Sequence, residues 1–259
     1  MGPVDPALFY TGIVAQLYGP LRSAGPVDAA PYARFIERCG QPALELGCGD
    51  GDPLLQLREL GLDVEGLDSS PDMIERCRVA AEQQGLAVTL HLQRIEDMQL
   101  DRQFRTIFLA GPTFNLLPDD ATARQALARI RTHLAADGSV LIPLFIPQPT
   151  PPHLLVLPRS HVADGATTMT LTIVSEQRDE AARTQTTMLR YELRTAESHE
   201  VEERPWLLHW YSQDEFRELA RDAGFATVRI RSNLGGPAPA DALDWTVILS
   251  DSIPTAIPS

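Results

Sequence analysis

Glu45-Leu46-Gly47-Cys48-Gly49-Asp50-Gly51 places three glycines at alternate positions directly after a short apolar run. Glycine lets the main chain turn sharply and approach a ligand closely, and the N–H groups left free at such a turn suit a polar or charged ligand tail. Asp68 stands at the tip of the next apolar run, about 20 positions on, where an acid accepts hydrogen bonds from ribose hydroxyls. The dinucleotide fingerprint is Gly-x-Gly-x-x-Gly, so here the third glycine arrives one residue early. For proton transfer the candidates are His209 and Tyr211, just before a helix start, and then His153 and His161 in a Pro-rich stretch. A strand histidine filling a half-buried surface is the plainer reading of His209, and His133 is expected on a helix surface. All 22 basic residues are arginine. With no lysine, a pyridoxal Schiff base and a phosphate-loop lysine are closed, and arginine is no proton acceptor.

The elements that must position these groups alternate between short β-type runs and amphipathic helices, the pattern of βαβ units stacking into a parallel sheet. Strands are predicted at 43–46, 63–67, 88–92, 106–110 and 140–145. Between them, Asp52-Pro53 reads as a helix N-cap and first-turn proline, Ser70-Pro71 as a second start, and 119–135 as a third helix. Asp137-Gly138 is predicted to turn into the fifth strand. The chain then becomes Pro-rich from Pro143 to Pro158 and β-rich beyond it. Three strands at 169–176, 184–195 and 200–211, with a turn at Arg178-Asp179-Glu180, predict an antiparallel insertion. Ser212-Gln213-Asp214-Glu215 has the pattern of a capping box, and 225–230 with 245–249 would close the first sheet. The organisation expected is a helical N-terminal cap over 1–40, a core of 41–146 and 211–251, an acceptor-side insertion at 147–210, and a mobile tail at 252–259.

With 259 residues, 44% of them hydrophobic, the chain can bury a full core. The net charge of −13 disfavours a nucleic-acid partner, whose affinity comes from Lys and Arg neutralising phosphates. Cys39, Cys48 and Cys77 form no CxxC pair and read as thiols, so neither a disulfide framework nor a metal site is expected. No apolar window approaches a membrane span and no signal peptide is visible, which makes the cytoplasm the default compartment.

LELGCGDGD, VEGLDSSPDMI, QRIEDMQLDRQFRTIFLAGPTFNLL and LAADGSVLI, taken in order, resemble the motifs of the class I S-adenosylmethionine-dependent methyltransferases. The resemblance covers roughly Pro42 to Phe145, Tyr211 to Leu249 looks like the family's closing part, and the nearest subgroup is similar to glycine and sugar-amine N-methyltransferases. It implies an α/β fold: a Rossmann-like, seven-stranded, mostly parallel sheet with helices on both faces, plus an antiparallel β insertion after the fifth strand. It also implies S-adenosylmethionine as cofactor. Gly47, Gly49 and Gly51 would approach its methionine and ribose portions, with Glu45 shaping the turn near the ammonium group. Asp68 would hold the ribose hydroxyls, and Ser69 and Met73 would border the adenine. Where the family normally presents an acid to the adenine amine this chain has Arg94, so the backbone at Ile95 alone, or Glu96 or Asp97, takes that contact. Tyr18 would close over the cofactor, although packing of a helix face explains Tyr10 and Tyr18 equally well. The stretch from Ala110 through Phe114 and Asn115 would line the boundary with a small-molecule acceptor, a structural turn being the other reading of Asn115. The expected reaction is methyl transfer to nitrogen or oxygen of a small metabolite, a secondary metabolite included. The alternatives are a non-methylating S-adenosylmethionine- or S-adenosylhomocysteine-binding protein and an NAD-dependent oxidoreductase. Oligomeric state stays open.

Overall fold

The structure is a computed structural model and describes residues 5–22, 25–163, 166–232 and 236–251; the predicted tail at 252–259 lies outside these. A seven-stranded sheet forms the centre. Its strands are β1 (Ala43–Leu46), β2 (Val64–Asp68), β3 (Leu90–Leu92), β4 (Phe104–Phe108), β5 (Leu134–Phe145), β10 (Thr227–Arg231) and β11 (Asp244–Ser250). They run in the order β10-β11-β5-β4-β1-β2-β3, with β11 antiparallel to both neighbours and every other pair parallel. Because β1 is central and covered on both faces, all four of its residues are buried, and so its sequence shows no alternation.

One face of the sheet packs on α5 (Asp120–His133) and α6 (Gln213–Asp222) through Ala126, Leu127, Ile130, Phe216 and Leu219. The other takes α2 (Ala30–Cys39), α3 (Leu54–Glu59) and α4 (Pro71–Gln83) through Ile36, Leu54, Leu57, Cys77 and Ala81. This is the Rossmann-like α/β arrangement anticipated. Helix starts follow local chemistry: Ser70 caps α4 by accepting from Met73 N, Asp119 caps α5, and Ser212 and Glu215 complete the capping box of α6.

A second, antiparallel sheet has the order β6-β7-β8-β9, from β6 (Arg159–Ala163), β7 (Thr167–Asp179), β8 (Thr184–Arg194) and β9 (His199–His209). Its inner face packs Leu171, Leu189, Tyr191 and Leu193 against Phe9 and α1 (Ile13–Leu21). Among the described residues no helix is long and apolar enough to cross a membrane.

Several local expectations are corrected. Asp52 does not cap α3: its carboxylate accepts from Arg22, Val27 N and Gln56, so the N-terminal segment has claimed it and the helix starts at Leu54. β5 begins at Leu134, before Asp137-Gly138, and absorbs that turn as a register shift against β4. β7 runs through Asp179, beyond the turn predicted at Arg178. β6 was not predicted, because an exposed edge strand has no apolar alternation to reveal it. His133 is buried rather than superficial, its Nε2 accepting from Leu100 N at 2.9 Å.

Candidate functional site

A cavity of about 340 Å³ opens at the carboxyl ends of β1, β2 and β4, the end of a parallel sheet where α/β proteins bind ligands. The glycine turn forms one wall. Gly47 N and Cys48 N both donate to Leu67 O, which clips the turn to β2. Gly47 has φ +70°, and a Cβ there would stand 2.5 Å from Thr113 Cγ2, so only glycine fits. Gly49, at φ +54°, borders the cavity and a Cβ would meet no atom within 4 Å. Its N–H donates to Asp68 Oδ2 at 2.9 Å, and Ser70 N donates to Asp68 Oδ1 at 2.8 Å. Each carboxylate oxygen therefore keeps a lone pair for a ligand hydroxyl. Burial pushes the Asp68 carboxyl above the usual aspartate value, opposed by these backbone donors.

The segment 5–12 crosses the cavity and is fastened by side chains distant in sequence. Ser69 Oγ donates to Ala7 O at 2.7 Å, Ser70 Oγ donates to Tyr10 O, and Asp72 accepts from Gly12 N. From the second sheet, Arg204 donates to Phe9 O and Thr11 Oγ1. Arg94 pairs with Asp5. Tyr10 and Tyr18 meet edge to face at 5.4 Å on the cavity wall, and burial raises both phenols above the usual tyrosine value, Tyr10 well above it. Tyr18, Gly47, Gly49, Asp68, Ser69, Met73, Ile95 and Glu96 thus line one cavity. Gly111, Pro112 and Thr113 of the expected 110–115 stretch line it as well, and Asp5, Ala7, Tyr10, Trp206 and Leu208 join them without having been singled out for it.

The remaining candidates lie elsewhere. Gly51 turns inward, where a Cβ would stand 2.9 Å from Cys77 Sγ and from Leu55. Phe114 is a core residue between Tyr211 and Phe216. Ala110 offers its carbonyl to the Tyr32 hydroxyl. Glu45 is fully buried beneath the glycine turn, and neither carboxylate oxygen has a hydrogen-bond partner among the described residues. Burial raises its pKa well above the ordinary glutamate value.

His209 and Tyr211 are not on the cavity wall. Side chains alternate along a strand, so Trp206 and Leu208 face the cavity while His209 faces away. His209 Nδ1 shares a hydrogen bond with the Tyr211 hydroxyl at 2.9 Å, and its Nε2 lies 3.5 Å from Asp120. Burial lowers the His209 pKa, with Asp120 opposing. Because the folded value is depressed, the neutral ring's contribution to stability is full above the ordinary 6.5 and is lost as pH falls through the folded value. His209→Gln is expected to flatten the fall in melting temperature between about pH 7 and pH 5; parallel wild-type and variant curves would contradict this.

Asn115 sits behind the wall as a clamp. Its Nδ2 donates to His209 O and Phe145 O, and its Oδ1 accepts from Phe145 N. It thus joins three segments that contribute Thr113, Phe145 and Leu208 to the cavity. Asn115→Ala leaves buried main-chain groups unpaired and is expected to cost about 1–3 kcal/mol in chemical denaturation; an unchanged midpoint would remove the clamp.

Residues 43–138 match the family described as a methyltransferase domain. That stretch of the Rossmann-like core is thus similar to a methyltransferase domain. Its glycine spacing, seven-stranded sheet and family match leave the NAD-dependent oxidoreductase without support. A curated relative from Streptomyces fradiae, dTDP-3-amino-3,6-dideoxy-alpha-D-glucopyranose N,N-dimethyltransferase, is 28% identical over 186 residues, covering 69% of this chain and 71% of its own. Among solved structures, the CcbJ methyltransferase from Streptomyces caelestis superposes with a TM-score of 0.74 at 18% identity, covering 94% of this chain and 98% of its own. The sugar N-methyltransferase KedS8 from Streptoalloteichus gives a TM-score of 0.70 at 17% identity, with 91% of each chain covered. At these identities the two structures speak for the fold alone.

Proposed function

We propose that this methyltransferase transfers the methyl group of S-adenosylmethionine to the nitrogen of a small-molecule amine. Three features of the chain fit the cofactor. Gly47 and Gly49 bring bare main chain to the cavity beside β1, Asp68 offers two half-used carboxylate oxygens at the tip of β2, and the unpartnered Glu45 carboxyl suits a nearby cationic ammonium group. In this reading Asp68 accepts from the ribose hydroxyls, Ser69, Met73 and Ile95 border the adenine with Glu96 at its rim, and Tyr18 with Tyr10 excludes water from above. When bound, the cofactor supplies a methyl group already activated on a sulfonium, so the protein need only hold the acceptor in line and keep water out.

The observation that carries nitrogen over oxygen is the makeup of the wall near β4 and β5. Thr113, Leu116, Thr122, Phe145, Trp206 and Leu208 stand there, while of the four general-base candidates His209 and Tyr211 pair with each other behind it and His153 and His161 lie off the cavity wall. A hydroxyl acceptor needs a base to take its proton, whereas an amine arrives with its lone pair available once neutral. The test is formation of S-adenosylhomocysteine with matched amines and alcohols. Transfer to amines is expected; comparable transfer to the alcohols would overturn the choice of nitrogen.

A further inference from the structure

The substrate class can be narrowed further, on the methyl-transfer reading just given. Among the described residues, the charged groups on the cavity wall are the carboxylates Asp5, Asp68 and Glu96 and one guanidinium, Arg94. Arg94 is already paired with Asp5 and lies 4.0 Å from Glu96. Two arginines of the second sheet are engaged too. Arg204 holds Phe9 O, Thr11 and Glu202, and Arg178 holds Pro147 O, Gln185 and Glu180 while stacking on Trp210 at 3.9 Å. The chain contains no lysine. A phosphate entering here would lose its water and meet a surplus of carboxylates, and Arg94, Arg178 and Arg204 could serve it only by leaving their present partners, all of which oppose burial of an anion.

The wall itself is apolar with an aromatic component. Leu116, Phe145, Leu208 and the Trp206 indole provide it, and the hydroxyls of Thr113 and Thr122 supply its polar points. The Trp206 N–H is buried and faces the Tyr10 hydroxyl. We infer that the acceptor is an apolar, ring-bearing amine without phosphate, and that phosphorylated and nucleotide-linked amines are excluded. This separates the chain from the Streptomyces fradiae relative, whose name gives a dTDP-linked amino sugar.

The same wall sets the protonation requirement. An ammonium ion has no lone pair to offer, and burial against apolar side chains favours the neutral amine, so the proton is shed to solvent on entry. The nitrogen lone pair then forms the C–N bond as the S–CH₃ bond breaks, with the bonding electrons staying on sulfur. The positive charge passes to nitrogen, and the methylated amine releases its remaining proton to water when that charge is not retained. The acid limb of the rate should therefore follow the acceptor's own pKa and move with it from one amine to the next.

The test uses the full chain, a set of arylalkyl amines including tyramine, their O-phosphates, and a dTDP-linked amino sugar, with S-adenosylhomocysteine formation as readout and calorimetric binding of S-adenosylmethionine as control. At least one unphosphorylated amine is expected to turn over about tenfold or more faster than any phosphorylated or nucleotide-linked one, with its acid limb shifting between congeners. Faster turnover of a phosphorylated or dTDP-linked amine, a limb fixed irrespective of the amine, or no transfer to any apolar amine by protein that binds S-adenosylmethionine would each overturn the inference. Failure to bind S-adenosylmethionine at all would instead overturn the methyl-transfer reading beneath it.

Discussion

Asp68→Asn is expected to weaken S-adenosylmethionine binding by about 10- to 100-fold, equivalent to about 1.4–2.8 kcal/mol, the range for losing charge-assisted hydrogen bonds to the ribose. The substitution is chosen because Asp68 also has a structural duty. Its two oxygens accept from Gly49 N and Ser70 N, and alanine would leave both donors without their partner. Asparagine keeps one oxygen for the glycine turn or the start of α4 but replaces the other with a donor. A drop in affinity with a nearly unchanged melting temperature is thus the specific outcome. Unchanged affinity in a folded variant would remove Asp68 from the ligand site, and loss of folding would point to Asp68→Glu as the variant to titrate.

Gly47→Ala should lose both stability and cofactor binding. Its φ of +70° penalises any side chain, and the new Cβ would be 2.5 Å from Thr113 Cγ2. Thr113 is β-branched and stiff, and lies in a short 3-10 turn at Thr113–Leu116, so the turn must move as a unit and displace the cavity wall. A cost of about 1–3 kcal/mol in unfolding free energy is expected from overpacking plus backbone strain, with S-adenosylmethionine affinity reduced about tenfold or more. Thr113→Ser deletes the clashing methyl, so the double variant should recover part of the affinity while retaining the backbone penalty. If the double variant binds no better than Gly47→Ala, the clash is not what closes the cavity.

How far the sequence reveals the molecule depends on the range of the interactions involved. β1, β2 and β4, and the caps at Ser70 and Ser212, are local patterns of apolar runs and hydroxyl spacing, and the fold follows from them. The glycine turn and Asp68 are equally local, which is why they can be placed on one wall before any coordinates. Segment 5–12 is the opposite case. Its contacts are main-chain carbonyls taken by Ser69, Ser70 and Arg204, separated by as many as 195 residues, and no nearby pattern announces them.

His209 illustrates a different difficulty. Trp206, Leu207, Leu208 and Trp210 are all apolar, so the run does not say which parity faces inward, and a shift of one residue exchanges the two sides of a strand. The paired structure puts Trp206 and Leu208 on the cavity and His209 against Tyr211. Asn115 follows a strand end, where a ligand contact and a turn are equally readable. Its partners at His209 and Phe145 are 94 and 30 residues away, and only the fold brings them together. Glu45 could be seen beside the glycines, but its being buried without a partner is a property of the packed core.

The central claim is that the cavity between the glycine turn and Asp68 holds S-adenosylmethionine. Isothermal titration of the full chain with S-adenosylmethionine, S-adenosylhomocysteine and NAD, in parallel, tests it most directly. Saturable binding of the two adenosyl ligands and none of NAD is the predicted result. Folded protein that binds neither adenosyl ligand would contradict the account, and NAD binding in their place would return the cavity to the oxidoreductases.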